Sequence, residues 1–185
     1  MKKFNYNDEL RDIIDTKRLV EINLGLSSPL DHCIAYLLDA NDDYLTFARI
    51  SNDIALQGIT ICRMDDMEAI EADTGFINEL QKGITNNSLH TEVSDDIKGV
   101  KEFSFKGFIS AFEATKTIID ITSENRSFTG RLAGYDKKIL AIDEYYAEDN
   151  KRFSRTYINP ANITAITVSG TWLKIISRSL TDNNI

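Results

Sequence analysis

Alternation of apolar and polar side chains dominates the stretch from Phe128 to Asp143, FTGRLAGYDKKILAID. Successive side chains of an extended strand point to opposite sides, so Phe128, Gly130 and Leu132 share one face while Thr129 and Arg131 share the other. Gly134, Tyr135 and Asp136 interrupt the period, two lysines follow, and Ile139 to Ile142 begin a second apolar run. The pattern predicts a β-hairpin.

The same order occurs elsewhere in the chain. DTKRLVEIN (Asp15 to Asn23) aligns with ATKTIIDIT (Ala114 to Thr122) at an offset of 99 residues. CIAYLLDANDDYLTF (Cys33 to Phe47) aligns with FTGRLAGYDKKILAI (Phe128 to Ile142) at 95, placing Leu37 on Leu132 and Leu45 on Leu140. ICRMDDMEAI (Ile61 to Ile70) aligns with YINPANITAI (Tyr157 to Ile166) at 96. Three matches in one order and at nearly constant spacing predict two copies of one unit, with Tyr135-Asp136 and Asn41-Asp42 at corresponding turns where Asx side chains bond nearby backbone.

Each unit opens on a helical stretch, NDELRDIIDTK or FKGFISAFEATK; in the first, Asn7 is the expected N-cap and acids follow in the first turn. About five short strands separated by turn signals come next, the pattern of a small barrel. A helix is expected to close each unit, TGFINELQKGI or TWLKIISRSL. The polar stretch Thr85 to Lys101, TNNSLHTEVSDDIKGVK, reads as a linker, which sets the units at 1–84 and 102–185. The expected fold class is therefore mainly β, with two tandem five-stranded barrels, each preceded by a short helix. Units of this size have marginal cores alone, so burial against the other half or another chain would stabilise them.

Composition narrows the function. The chain has 185 residues, 42% of them hydrophobic, and a formal net charge of −8. An acidic balance disfavours nonspecific phosphate binding, which counterion release drives at basic surfaces. MKKFNYNDELRD lacks an apolar segment after its lysines, and no apolar run approaches membrane-spanning length. A cytoplasmic protein without a membrane partner is expected.

Cys33 and Cys62 lie in apolar, strand-like contexts and read as buried thiols. His32 and Cys33 are adjacent, so on a strand they point to opposite faces and are poorly placed to share a metal. His90 falls in the polar linker and reads as solvated. No zinc spacing, phosphate loop, nucleophile elbow or dinucleotide fingerprint occurs, so no catalytic residue, metal or cofactor is assigned and no enzyme is expected. The acidic pairs Asp42-Asp43, Asp65-Asp66 and Asp95-Asp96 read as solvated turn ends. Lys137, Lys138, Lys151, Arg152 and Arg155 form the one basic concentration, interleaved with Tyr145, Tyr146, Phe153 and Tyr157. Such a mixture can bind single-stranded nucleic acid by stacking and charge. In an acidic chain, lysines that guard a strand edge and tyrosines that pack on the barrel are the favoured alternative. Trp172, with Phe76 in the matching place 96 residues earlier, is expected to cover the core.

FTGRLAGYDKKILAI resembles the first signature of the Sm and Sm-like family, and YINPANITAI resembles the second. The resemblance implies a strongly bent, SH3-like, five-stranded barrel with an N-terminal helix, and assembly of family members into rings. The first half also resembles a group of small bacterial proteins of no known activity, through AYLLDANDDYLTF and RMDDMEAIEADTGFINEL. At the family's base-reading asparagine this chain has Leu140 in one half and Leu45 in the other. Its Arg-Gly pair is Asn159-Pro160 in one half; in the other Arg63 retains the arginine and Met64 replaces the glycine. Leucine cannot supply the hydrogen bonds of base recognition. The expected role is a noncatalytic interaction module that forms a homo-oligomer through strand edges near RTYINP and ITICRM, which Pro160 and Asp65-Asp66 would oppose. The alternative is a divergent Sm-like RNA-binding protein using Arg63 and the basic, aromatic second half.

Overall fold

The computed structural model describes residues 6–25, 32–84, 93–123, 126–146 and 151–182, with the backbone alone described at 146, 151–153 and 179–182. The first half contains helix α1 (Tyr6–Thr16), strands β1 (Leu19–Leu24), β2 (His32–Ala40), β3 (Tyr44–Ile50), β4 (Leu56–Arg63) and β5 (Met67–Ala72), and helix α2 (Gly75–Gly83). The second contains α3 (Phe105–Thr115), β6 (Ile118–Ser123), β7 (Ser127–Tyr135), β8 (Leu140–Tyr146), β9 (Lys151–Ile158), β10 (Ile163–Val168) and α4 (Thr171–Asp182). A 3-10 turn, Met64–Asp66 or Pro160–Asn162, precedes the last strand of each half.

All ten strands join one antiparallel sheet in the order β5-β1-β2-β3-β4-β10-β6-β7-β8-β9. The mainly β class is as expected, and among the described residues no ladder closes the sheet. Its registers match the sequence offsets. Leu19 faces Tyr36 and Ile118 faces Arg131; Leu37 faces Phe47 and Leu132 faces Ile142; Ile22 faces Ile70 and Ile121 faces Ile166. An irregularity follows Leu37 in one hairpin and Leu132 in the other. Left-handed backbone recurs as well, at Lys17 and Lys116 after the first helices and at Asp73 and Ser169 before the last.

The hairpin expected from Phe128 onward is β7 and β8. Its strand glycine has a steric cause: a Cβ on Gly130 would stand 2.2 Å from the Asp143 carbonyl oxygen across the ladder. Only glycine permits that approach. α1 begins at Tyr6, so Asn7 lies inside the first turn instead of capping it. Thr74 and Ser104 cap α2 and α3, accepting from the amides of Ile77 and Gly107.

Burial follows the alternation. Leu10 and Ile13 of α1 cover Val20, Ile22, Leu37, Leu45 and Phe47. Phe108, Ile109 and Phe112 of α3 cover the corresponding face, with Ile119, Ile121, Leu132, Leu140 and Ile142. That second cluster does not stop at the boundary between halves. It continues into Leu19, Ile34, Tyr36, Ile59, Ile61 and Ile77, so the two halves share a core. The expected linker contributes to it too: Val93 is buried, and Ile97 and Val100 pack against the cluster. Residues 85–92, including His90, lie outside the described residues.

The expected equivalence of Leu37 and Leu132 holds, with 4% and 7% exposure. Truncating either buried leucine should cost about 2–5 kcal/mol, because transfer and cavity terms add. Chemical denaturation of Leu37→Ala and Leu132→Ala, followed by circular dichroism, should show comparable losses. A variant as stable as the parent would contradict its placement in the core.

Candidate functional site

Two features of the sheet offer themselves to a partner, its free edges and a cleft where the halves meet. The β4–β10 ladder joins the halves, pairing Cys62 with Ala165, Ile61 with Ile166, Thr60 with Thr167 and Ile59 with Val168. ITICR is thus an interior strand, and the expectation that it forms a free edge is corrected. The second half's own last strand covers it. The free edges are β5, MEAIEA, and β9, KRFSRTYI.

The proposed binding residues are not gathered on one surface. Arg63 belongs to the junction: its guanidinium donates to the carbonyl oxygens of Ala161 at 2.6 Å and Pro160 at 3.3 Å, and lies 5.9 Å from the Phe105 ring centre. Lys137 and Lys138 sit in the exposed turn before β8, whereas Tyr145 lies near that strand's far end, half-buried against Leu173 and Ile176. At a strand rise of about 3.3 Å per residue, roughly 20 Å separates the turn from Tyr145. Arg155 is engaged by Asp143 through two bonds, Nε to Oδ1 at 2.8 Å and Nη2 to Oδ2 at 3.0 Å. Lys151 and Arg152 lie on β9 with their side chains outside the described set.

Several polar groups are structural. Asn41 accepts from the amides of Asp43 and Tyr44 at 3.0 and 2.9 Å, and Asp136 accepts from those of Lys138 and Ile139 at 2.6 and 2.8 Å. These two positions are 95 residues apart and close equivalent turns, as expected of Asx side chains. The Lys138 and Ile139 amides hold the Asp136 carboxyl below its ordinary pKa. Buried Glu144 accepts from Arg126 at 2.9 and 3.2 Å and from Thr156 Oγ1 at 2.8 Å, tying β9 to its neighbours. Cys33 and Cys62 are buried free thiols, pushed by burial up to about 11 and about 12. His32 is exposed and reaches Glu21 at 3.2 Å. Among the described residues no group of three or more His, Cys, Asp or Glu could hold a metal ion. No described helix is long and apolar enough to cross a membrane.

Trp172 corrects another expectation. It is 55% exposed, and its counterpart Phe76 is 52% exposed. α4 turns Leu173 and Ile176 onto Ile118, leaving Trp172 and Ile175 on its outer side. There they line a cleft of about 550 Å³ with Arg49, Gln57, Asp120, Thr129 and Thr167. Thr167, Asp120 and Thr129 of its lining belong to a polar row across neighbouring strands, which continues beneath the cleft to buried Thr60. Thr60 faces Thr167, Thr167 faces Asp120, and Asp120 faces Thr129. The Thr60 and Thr167 hydroxyls meet at 2.9 Å, and Thr129 donates to Asp120 Oδ1 at 2.7 Å. Burial raises the Asp120 pKa, against the opposing effects of the Thr129 bond and the Arg49 charge. The row escapes single-strand patterning because its members come from four strands; only Trp172 marked it in the sequence.

The turn carboxylate gives a pH signature. Its pKa is lower when folded, so its stabilisation is present above the unfolded value and is lost as pH falls through the folded one. Asp136→Ala should melt below the parent at neutral pH, with the gap closing in acid. Asp136→Asn should retain most of the turn, as Asn41 does in the first hairpin. A gap independent of pH would refute the turn assignment.

No protein-family profile, curated protein or solved structure matches this chain.

Proposed function

We propose that the chain is a noncatalytic assembly module built from two divergent copies of an Sm-like unit, and that it associates with further copies of itself by pairing β9 of one chain with β5 of the next. The observation that supports this most is a contrast between the occupied junction and the free edges. At the junction Ile61 of β4 is fully buried against the second half. Its counterpart on β9, 96 residues later, is Tyr157, which is 68% exposed. On the other side Ile166 is buried, while its counterpart Ile70 on β5 is half-buried. The same shift carries the β4–β10 register onto Ile158 with Ala69, Tyr157 with Ile70, and Thr156 with Glu71.

Charge favours this pairing over a like pairing of edges. β5 carries Glu68 and Glu71, both exposed, and is flanked by Asp65, Asp66 and Asp73. β9 carries Lys151, Arg152 and Arg155 in its sequence. Opposite charges across adjacent strands stabilise a ladder and like charges oppose it. An edge also exposes unpaired backbone donors and acceptors, which strand addition satisfies. Lys151 and Arg152, and Arg155 beyond its bonds to Asp143, would then face acidic side chains of a second copy. Because the two surfaces differ, the association is head-to-tail and closes into a ring when its rotation permits.

Light scattering over a concentration series should give a mass that is a multiple of the 20.9 kDa chain. Tyr157→Asp and Glu71→Lys, each at an exposed position of the single chain, should shift the population toward one chain while leaving its circular dichroism unchanged. A constant mass near 20.9 kDa for the parent would overturn the proposal.

A further inference from the structure

The cleft between the halves holds two charged groups that the fold leaves incompletely served. Arg49 projects from β3 beside Gln57 and Thr167, and a guanidinium carries five donors and no acceptor. Its Nε is buried without a hydrogen-bond partner; the Cys33 thiol nearby is a weak acceptor, and the Arg49 charge also acts on Asp120. Asp120 stands on β6 at the same cleft. One of its oxygens accepts from Thr129, and no described cation pairs with it within salt-bridge distance.

Arginine and aspartate thus line one cleft without forming a bidentate pair. Their mutual attraction is not completed by direct hydrogen bonds, and desolvating either charge on such a loose pairing is unfavourable. A bound carboxylate would serve Arg49 and leave Asp120 repelled; a bound amine would serve Asp120 and leave Arg49 unmatched. A ligand carrying both groups serves both. The outer wall supplies the third element of recognition, since Trp172 and Ile175 present exposed apolar surface there. The volume of about 550 Å³ suits a small organic molecule, for which pockets of about 300–1,000 Å³ are usual.

We propose that this cleft binds a small zwitterion of the α-amino-acid class, with its carboxylate on Arg49, its ammonium on Asp120 and an apolar side chain along Trp172 and Ile175. The site is formed by both halves, Arg49 and Gln57 from the first and Asp120, Thr129, Thr167 and Trp172 from the second. It lies apart from the β5 and β9 edges and does not depend on self-assembly.

Trp172 is the chain's single tryptophan, so its fluorescence reports directly on the cleft. Titration of the full chain with L-leucine or L-phenylalanine should give a saturable change with a Kd of about 1 mM or tighter. 4-Methylpentanoate and isoamylamine, which each keep one of leucine's two charges, should bind at least about tenfold more weakly, as expected when a charged hydrogen bond is removed. Asp120→Asn, nearly isosteric and able to keep the Thr129 bond, should weaken leucine by about tenfold or more and spare 4-methylpentanoate. Arg49→Gln should do the converse. If Arg49→Gln does not fold, the Asp120→Asn titration decides alone. No saturable response to either amino acid up to about 10 mM would overturn the proposal. So would equal binding of leucine and 4-methylpentanoate that ignores Asp120→Asn, which would identify a plain anion site.

Discussion

Backbone pairing of β4 with β10 is the constraint from which the rest of the molecule follows. Four residue pairs, from Cys62 with Ala165 to Ile59 with Val168, turn two five-stranded segments into one sheet. The buried Thr60 and Thr167 hydroxyls satisfy each other there, so polar atoms at the seam carry no desolvation debt. Arg63 adds a charged clasp from the end of β4 to the carbonyls of the Pro160–Asn162 turn. Gly170 lets the chain pass close behind: its φ is +95°, and a Cβ there would stand 2.1 Å from the Gln57 carbonyl oxygen. Around this seam Ile59, Ile61, Ile166 and Val168 join the apolar sides of both halves into a shared core.

The seam also determines what remains available. A sheet of ten strands that does not close has two edges, and here they are chemically unlike. The acidic β5 and the basic β9 are the positions that the seam uses up in β10 and β4. A chain that solves its internal edge problem by pairing one such combination carries the complementary combination at its ends. The assembly proposed above would therefore use the same backbone chemistry as the internal seam, with the side-chain charges selecting which edges meet.

On the opposite face from the shared core, the seam leaves a gap between two apolar covers. α1 packs over Phe47 and its neighbours, and α4 packs over Ile118, with Thr60, Thr167, Asp120 and Thr129 between them. Asp120 is kept at the cost of charge burial, as its raised pKa indicates. Threonines could occupy this row without that cost. A carboxylate and an arginine therefore line a cleft beside an exposed tryptophan at some cost in stability, a cost that the binding proposed above would account for.

What the sequence by itself determined is what short-range patterns encode. Period-two alternation placed Leu37 and Leu132 inside, the Asx positions Asn41 and Asp136 closed the matching hairpins, and the three offsets anticipated the ladder registers. Strand direction and turn chemistry are local properties, so they are legible along the chain. Tertiary structure decided the rest. It placed ITICR inside the sheet, spent Arg63 on the other half, and turned Trp172 outward beside Arg49 and Asp120. Each of these depends on which strand lies next to which across more than 60 residues of chain, and on which side of a helix finds an apolar surface to cover. Alternation fixes the two faces of a strand, but its neighbours are selected only when the halves meet and bury their apolar faces together.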